Sequence, residues 1–361
     1  DRLADDRGPA RLARLRLPVW TSYKRLPSFD VSMKLRTVAL GALGTVGLTA
    51  AANRLLGRRA GDLDSPLDGE TKTYRWRGFD VAYVEGGDPA DPDLCLIHGI
   101  NASASGHEFR GVFDALAEDY HVIVPDLPGF GRSDRPPLLY SGSLYTTFVE
   151  DFLADLTEDA TVIGSSLGGA YAAVAAVSAD VEELILICPD TTTFEGRRPL
   201  VRSLVRSPLV GTALFNVATC KPAIRYFNAD HGYHDEGKVT DELVDYQWQT
   251  AHQPGGRFAP ASFFGGFLDL DVDLDEVLAD LDVPVTLVWG RQATVAPLEH
   301  GEALAKRANA RLLVFDESDV QPHVEHAEQF VRRVVRGEEP SEATSIEIEE
   351  PGDEEPAESE E

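Results

Sequence analysis

The chain has 361 residues, 43% of them hydrophobic, which is ample for one large core or two small domains. Its formal net charge is −28, with 61 Asp/Glu against 33 Lys/Arg, so the body is a poor partner for nucleic-acid phosphates. Three cysteines (Cys95, Cys188, Cys220) lie far apart without CxxC or Cys/His spacing; they read as buried thiols in a reducing compartment and exclude a disulfide framework or a zinc site.

The charge is uneven along the chain. Residues 1–60 hold twelve Lys/Arg and four Asp/Glu, whereas 337–361 hold twelve acids and no base. Residues 61–336 are left with a net charge of −24, and lysine occurs only six times. A body this acidic repels itself in dilute buffer and is soluble where salt screens it. The composition resembles that of proteins from halophilic archaea; an ordinary acidic cytosolic enzyme is the other reading.

In chain order, Met33 is the only methionine, and Lys34-Leu35-Arg36 follows it ahead of an uncharged stretch at 37–53. This has the pattern of a translational start, which makes residues 1–32 an upstream extension without a fold of its own. The 37–53 stretch is short for a bilayer span and rich in Gly, Ala and Thr, with Arg54, Arg58 and Arg59 after it. It is expected to form a peripheral or single-pass membrane anchor, or else a helix lying on the soluble domain. Localisation is therefore cytoplasmic, with membrane association through this segment as the variant.

From residue 72 the pattern is regular. Residues 73–77 and 80–85 alternate like a hairpin, and 93–97 and 121–125 read as buried strands. Helical spacing runs over 109–116, 145–156 and 170–179, with strands at 161–163 and 184–187. After a long insertion at 191–260, strands at 283–289 and 312–315 alternate with helices at 303–308 and 327–335. Such alternation means a mostly parallel sheet covered on both faces, with ligands at the carboxyl ends of its strands. From Gly337 onward Glu, Pro and Ser dominate, and disorder is expected.

The chemistry centres on Gly164-Ser165-Ser166-Leu167-Gly168, a Gly-x-Ser-x-Gly between a β-branched run and a small-residue helix. That context makes a strand–turn–helix elbow with Ser166 at its tip as the nucleophile position. The Leu167 N–H and the helix N-terminus would face an oxyanion formed on an attacked carbonyl.

With Leu96-Ile97-His98-Gly99-Ile100-Asn101 and the 125–133 segment (Pro-Asp-Leu-Pro-Gly-Phe-Gly-Arg-Ser) in the same order, the chain resembles the α/β-hydrolase family, in its capped serine-hydrolase branch, over about residues 72–336. The resemblance implies a core at 61–190 and 261–336, a helical cap at 191–260 that includes a helix near 200–215, and a second oxyanion donor from the Ile100 N–H. His98, Asp126 and Arg132 are expected to shape loops. The resemblance also implies an acid after the 283–290 strand and a histidine after the 312–315 strand, but this chain has Ala293 and Val320 there. Neither moves a proton. Asp190, after the preceding strand, is the candidate substitute acid, and His323, about one helical turn beyond Val320, is the candidate substitute base.

Two functions follow. One is a relative of ester- or C–C-cleaving serine hydrolases whose activity is weak or lost; the other is a non-catalytic protein whose capped pocket binds a small apolar or ester-like molecule or a protein partner. No metal or cofactor is expected: there is no phosphate loop, and Gly129-Phe130-Gly131 lacks the setting of a dinucleotide fingerprint.

Overall fold

A computed structural model describes residues 35–338, with side chains from Gly47 onward. The expected start at Met33, the 1–32 extension and the acidic tail from 339 lie outside the described residues. Two compact units meet at Val46/Gly47. The first contains the opening turns of α1 (Leu35–Ala60), and the second contains everything that follows.

The sheet has eight strands: β1 (Glu70–Trp76), β2 (Phe79–Gly86), β3 (Asp93–Ile97), β4 (His121–Pro125), β5 (Ala160–Ser165), β6 (Val181–Ile187), β7 (Val285–Gly290) and β8 (Arg311–Phe315). Their order is β1-β2-β4-β3-β5-β6-β7-β8. β1, β2 and β4 pair antiparallel, and the rest of the ladder is parallel. β3, β5 and β6 are buried along most of their length because both of their faces are covered. One face packs against α3 (Gly142–Leu156) and α4 (Ser166–Ala175), burying Tyr145, Phe148, Phe152 and Tyr171. The other packs Phe109, Phe113, Phe330 and Val331 against Leu94, Leu96 and Ile163.

The segment expected as a helix at 109–116 is a 3-10 turn (Gly106–Gly111) followed by α2 (Phe113–Leu116). Between β6 and β7 the chain leaves the sheet to form α5 (Pro199–Arg206), α6 (Val210–Ala218), α7 (Lys221–His231), α8 (Asp241–Ala251) and α9 (Phe258–Phe264), then returns through α10 (Leu274–Ala279). The single helix expected at 200–215 is two helices: Pro208 has no N–H to continue α5, and Leu209 turns to φ 64°. The expected cap boundary at 260 falls inside α9.

No helix among the described residues is long and apolar enough to cross a membrane, so the single-pass anchor expected at 37–53 is corrected to a helix without that capacity. Its later turns join the insertion instead. The Asn53 amide donates to the Leu209 carbonyl at 3.1 Å and accepts from Asn216 of α6 at 3.0 Å. The cysteine expectation needs one adjustment as well: Cys95 and Cys188 are buried, but Cys220 is half-buried at the start of α7.

Candidate active site

Ser166 sits where β5 hands over to α4. Ser165 is still extended, and Ser166 takes φ 51°, a left-handed conformation that a non-glycine residue holds only when its surroundings impose it. The surroundings are backbone. A Cβ on Gly164 would lie 2.6 Å from the Gly169 Cα, and one on Gly168 would lie 2.2 Å from the His98 carbonyl oxygen. Glycine at these places lets the strand, the helix and the 98–100 loop close on one another. Ser166 is thereby left partly exposed at the carboxyl ends of the strands.

The 98–100 loop is held from three sides. His98 Nε2 accepts the Leu127 N–H at 3.0 Å, which places the ring proton on Nδ1, 2.7 Å from the Gly99 carbonyl oxygen. Asp126 accepts the backbone N–H groups of Gly106 and Arg132 at 2.7 and 2.8 Å. His98, Asp126 and Arg132 thus shape loops, and none of them contacts Ser166. The Ile100 N–H donates to no other group among the described residues. The Leu167 N–H is the second of α4, ahead of the first intrahelical bond.

Glu108 is the third support, and sequence reasoning missed it. Its Oε2 accepts the Gly99 N–H at 2.8 Å, while its Oε1 lies 3.1 Å from His323 Nε2, a close contact off the line of a good hydrogen bond. Burial works to raise the Glu108 carboxyl, but His323 and the Ser165 hydroxyl outweigh it and hold the group below the usual carboxylate range. The glutamate sits in an irregular turn with no periodicity to mark it. Its only sequence signal is an acid between two residues, His107 and Phe109, that are themselves buried.

Neither candidate substitute hydrogen-bonds Ser166 among the described residues. His323 is fully buried, with Phe109 and Phe330 around its ring and Glu108 as its polar neighbour. Asp190 accepts the Thr192 N–H at 2.9 Å and lines a separate cleft of about 240 Å³ with Trp289, His300 and Arg307. Burial raises its pKa. Among the described residues, no hydrogen bond or ion pair links Ser166 to a histidine or a carboxylate.

Ala293 and Val320 fall in one apolar neighbourhood. The Gln292 N–H donates to the Ser318 carbonyl at 2.9 Å, and a Cβ on Gly290 would strike the Asp319 carbonyl oxygen at 1.8 Å, so the loops after β7 and β8 lie against each other. Ala293, only 7% exposed, packs with Cys188, Trp289 and Ala296, and Val320 covers this apolar cluster. The neighbouring Asp319 carboxylate is taken by Thr294, through its N–H at 3.2 Å and its hydroxyl at 3.3 Å. Among the described residues, no group of three or more His, Cys, Asp or Glu side chains is placed to hold a metal ion.

A mostly parallel eight-stranded sheet, a serine at a strained strand–helix elbow and a helical insertion after β6 together define a hydrolase fold, and the profile of the Alpha/beta hydrolase family matches residues 96–333. The chain belongs to the α/β hydrolase family. It is 30% identical over 261 residues to an uncharacterised protein of Mycobacterium tuberculosis, covering 68% of this chain and 74% of that one. It is also 28% identical over 242 residues to a pimeloyl-[acyl-carrier protein] methyl ester esterase of Aeromonas hydrophila, covering 66% of this chain and 92% of the esterase. Among solved structures, a point mutant of a meta-cleavage product hydrolase (CumD) superimposes with a TM-score of 0.58 at 25% identity, covering 74% of this chain and 97% of that one.

Proposed function

We propose that this chain is a member of the hydrolase family that binds a small ester- or carbonyl-containing molecule and does not turn it over at the rates of a working serine hydrolase. The observation that carries this reading is the apolar cluster of Cys188, Trp289, Ala293 and Ala296, with Val320 against it, where the family resemblance puts the acid and the histidine. A serine hydroxyl attacks a carbonyl only if a base takes its proton in the same step. Among the described residues no histidine or carboxylate hydrogen-bonds Ser166 to act as that base, which supports this reading, while the N–H groups of Ile100 and Leu167 would polarise a bound carbonyl. The ligand class is drawn from the relatives, an ester in one and a meta-cleavage product in the other.

The test is labelling by a fluorophosphonate probe in molar salt. The native chain and Ser166→Ala are expected to label equally slowly. The double variant Ala293→Asp/Val320→His is expected to label about 10²-fold faster, the lower end of what a positioned general base contributes. Rapid labelling of the native chain that vanishes in Ser166→Ala would replace this reading with a working hydrolase.

A further inference from the structure

The outer face of the insertion is unlike the rest of the molecule. Residues 196–229 contain six Lys/Arg and no Asp/Glu, while the remainder of 61–336 carries a net charge of −30. Lys221 and Arg225 pair with Asp245 and Asp241 of α8. Arg197, Arg198, Arg202 and Arg206 pair with no carboxylate among the described residues and lie instead over the rings of Phe267, Phe194, Phe267 and Phe258.

Large apolar side chains accompany these cations into solvent. Leu200 and Leu204, one turn apart on α5, are 84% and 50% exposed. On α6, which packs against α5, Val210, Leu214 and Val217 follow i, i+4, i+7 spacing and are exposed, Val217 at 70%. Arg206 donates to the Pro137 and Leu138 carbonyls, which draws the exposed Leu138 and Leu139 to the same edge. An apolar patch spread over several elements marks an interaction surface rather than scattered surface leucines.

We propose that α5, α6 and the 137–139 loop form a docking face for an anionic lipid surface, with the helices lying in the plane of the interface. Leucine and valine enter the headgroup boundary while the arginines, snorkelling past them, meet lipid phosphates. Charge complementarity selects this occupant. Acidic groups more than about 10 Å from the bilayer are screened at about 0.1 M salt, so the local cationic face governs the approach. A second copy using the same face would set like arginines against one another across a twofold axis.

The experiment is co-sedimentation of the full-length chain with phosphatidylcholine vesicles, with and without phosphatidylglycerol, at the lowest KCl concentration that keeps its circular dichroism native. The native chain is expected to pellet at least about fivefold more with anionic than with neutral vesicles, since each cation at such a surface contributes roughly that factor. Leu200→Ser/Leu214→Ser/Val217→Ser, all at exposed positions, is expected to remain in the supernatant. Retained binding by this variant would place membrane contact elsewhere on the chain and overturn the proposal. No vesicle binding by the native chain would overturn it too, leaving the face to the chain's own acidic tail or, if the native chain sediments as a dimer and the variant as a monomer, to a second copy.

Discussion

His107 stacks on Tyr246 of α8 with ring centroids 4.2 Å apart, and burial pushes its imidazole from 6.5 down to about 3, with the charge of Arg110 adding to the effect. The unfolded chain therefore takes up a proton at this histidine well before the native chain does. Stability contributed this way is full above the unfolded value and is lost as pH falls from 6.5 towards 3, by up to about 1.4 kcal/mol per pH unit. His107→Phe keeps the ring stack and removes the titration. Between about pH 5 and 6.5, above the ordinary carboxylate range, the slope of unfolding free energy against pH is expected to flatten in this variant. His252, also lowered by burial, supplies slope that remains. Equal slopes in the two proteins would show that His107 protonates as easily in the fold as outside it. At this scale the sequence was informative about Ser166, because Gly-x-Ser-x-Gly dictates a backbone shape. It was silent about Glu108 and about the burial of His323 beside it, because that neighbourhood is set by packing between segments over two hundred residues apart.

Among the elements, β3 and β4 were legible to the residue, since each is a short apolar run with polar residues at its start. The departures have local causes. Pro208 divides α5 from α6, and the 106–116 segment tightens to 3-10 geometry where Gly106 must lie against Val124, a Cβ there reaching its Cγ1 at 2.9 Å. Residues 327–335 begin as a short helix (Ala327–Phe330) and widen to a π turn at Val331–Val335. Ala293 and Val320, the residues standing where the family resemblance implies an acid and a histidine, belong to one apolar cluster. The elbow makes its own demand. Gly168→Ala sets a methyl 2.2 Å from the His98 carbonyl oxygen, a backbone atom, with the Ile97 side chain at 3.2 Å beside it. Overpacking of this kind costs about 1–3 kcal/mol, so urea unfolding of Gly168→Ala is expected to show a midpoint lowered accordingly, with an unchanged denaturant slope. A native midpoint would mean that α4 can slide away from the 98–100 loop.

For the whole molecule, a net charge of −28 opposes compaction, and little on the acidic surface offsets it. Most ion pairs are exposed, such as Arg75–Asp80 and Arg291–Asp316, and each contributes little. Mobile cations therefore do the screening. The thermal midpoint is expected to rise by several degrees between about 0.1 and 2 M KCl, as the Debye length shrinks from about 10 Å to below 3 Å. Sucrose at matched osmolality is expected to reproduce only a small part of that rise. A midpoint that falls with KCl would mean that specific ion pairs, rather than self-repulsion, dominate the electrostatics.

The route by which the chain enters the fold has a mechanical side. From Gly47 onward, α1 is fastened to the insertion through Asn53, and the segment after it is tied to α8 and the turn that follows, where Gln253 donates to the Gly61 carbonyl and Tyr246 to that of Asp64. Only then does the backbone join the sheet at β1. A pull applied at Gly47 would load α6, α8 and the turn after it before it strained any strand, so tension on this segment would act on the insertion ahead of the sheet.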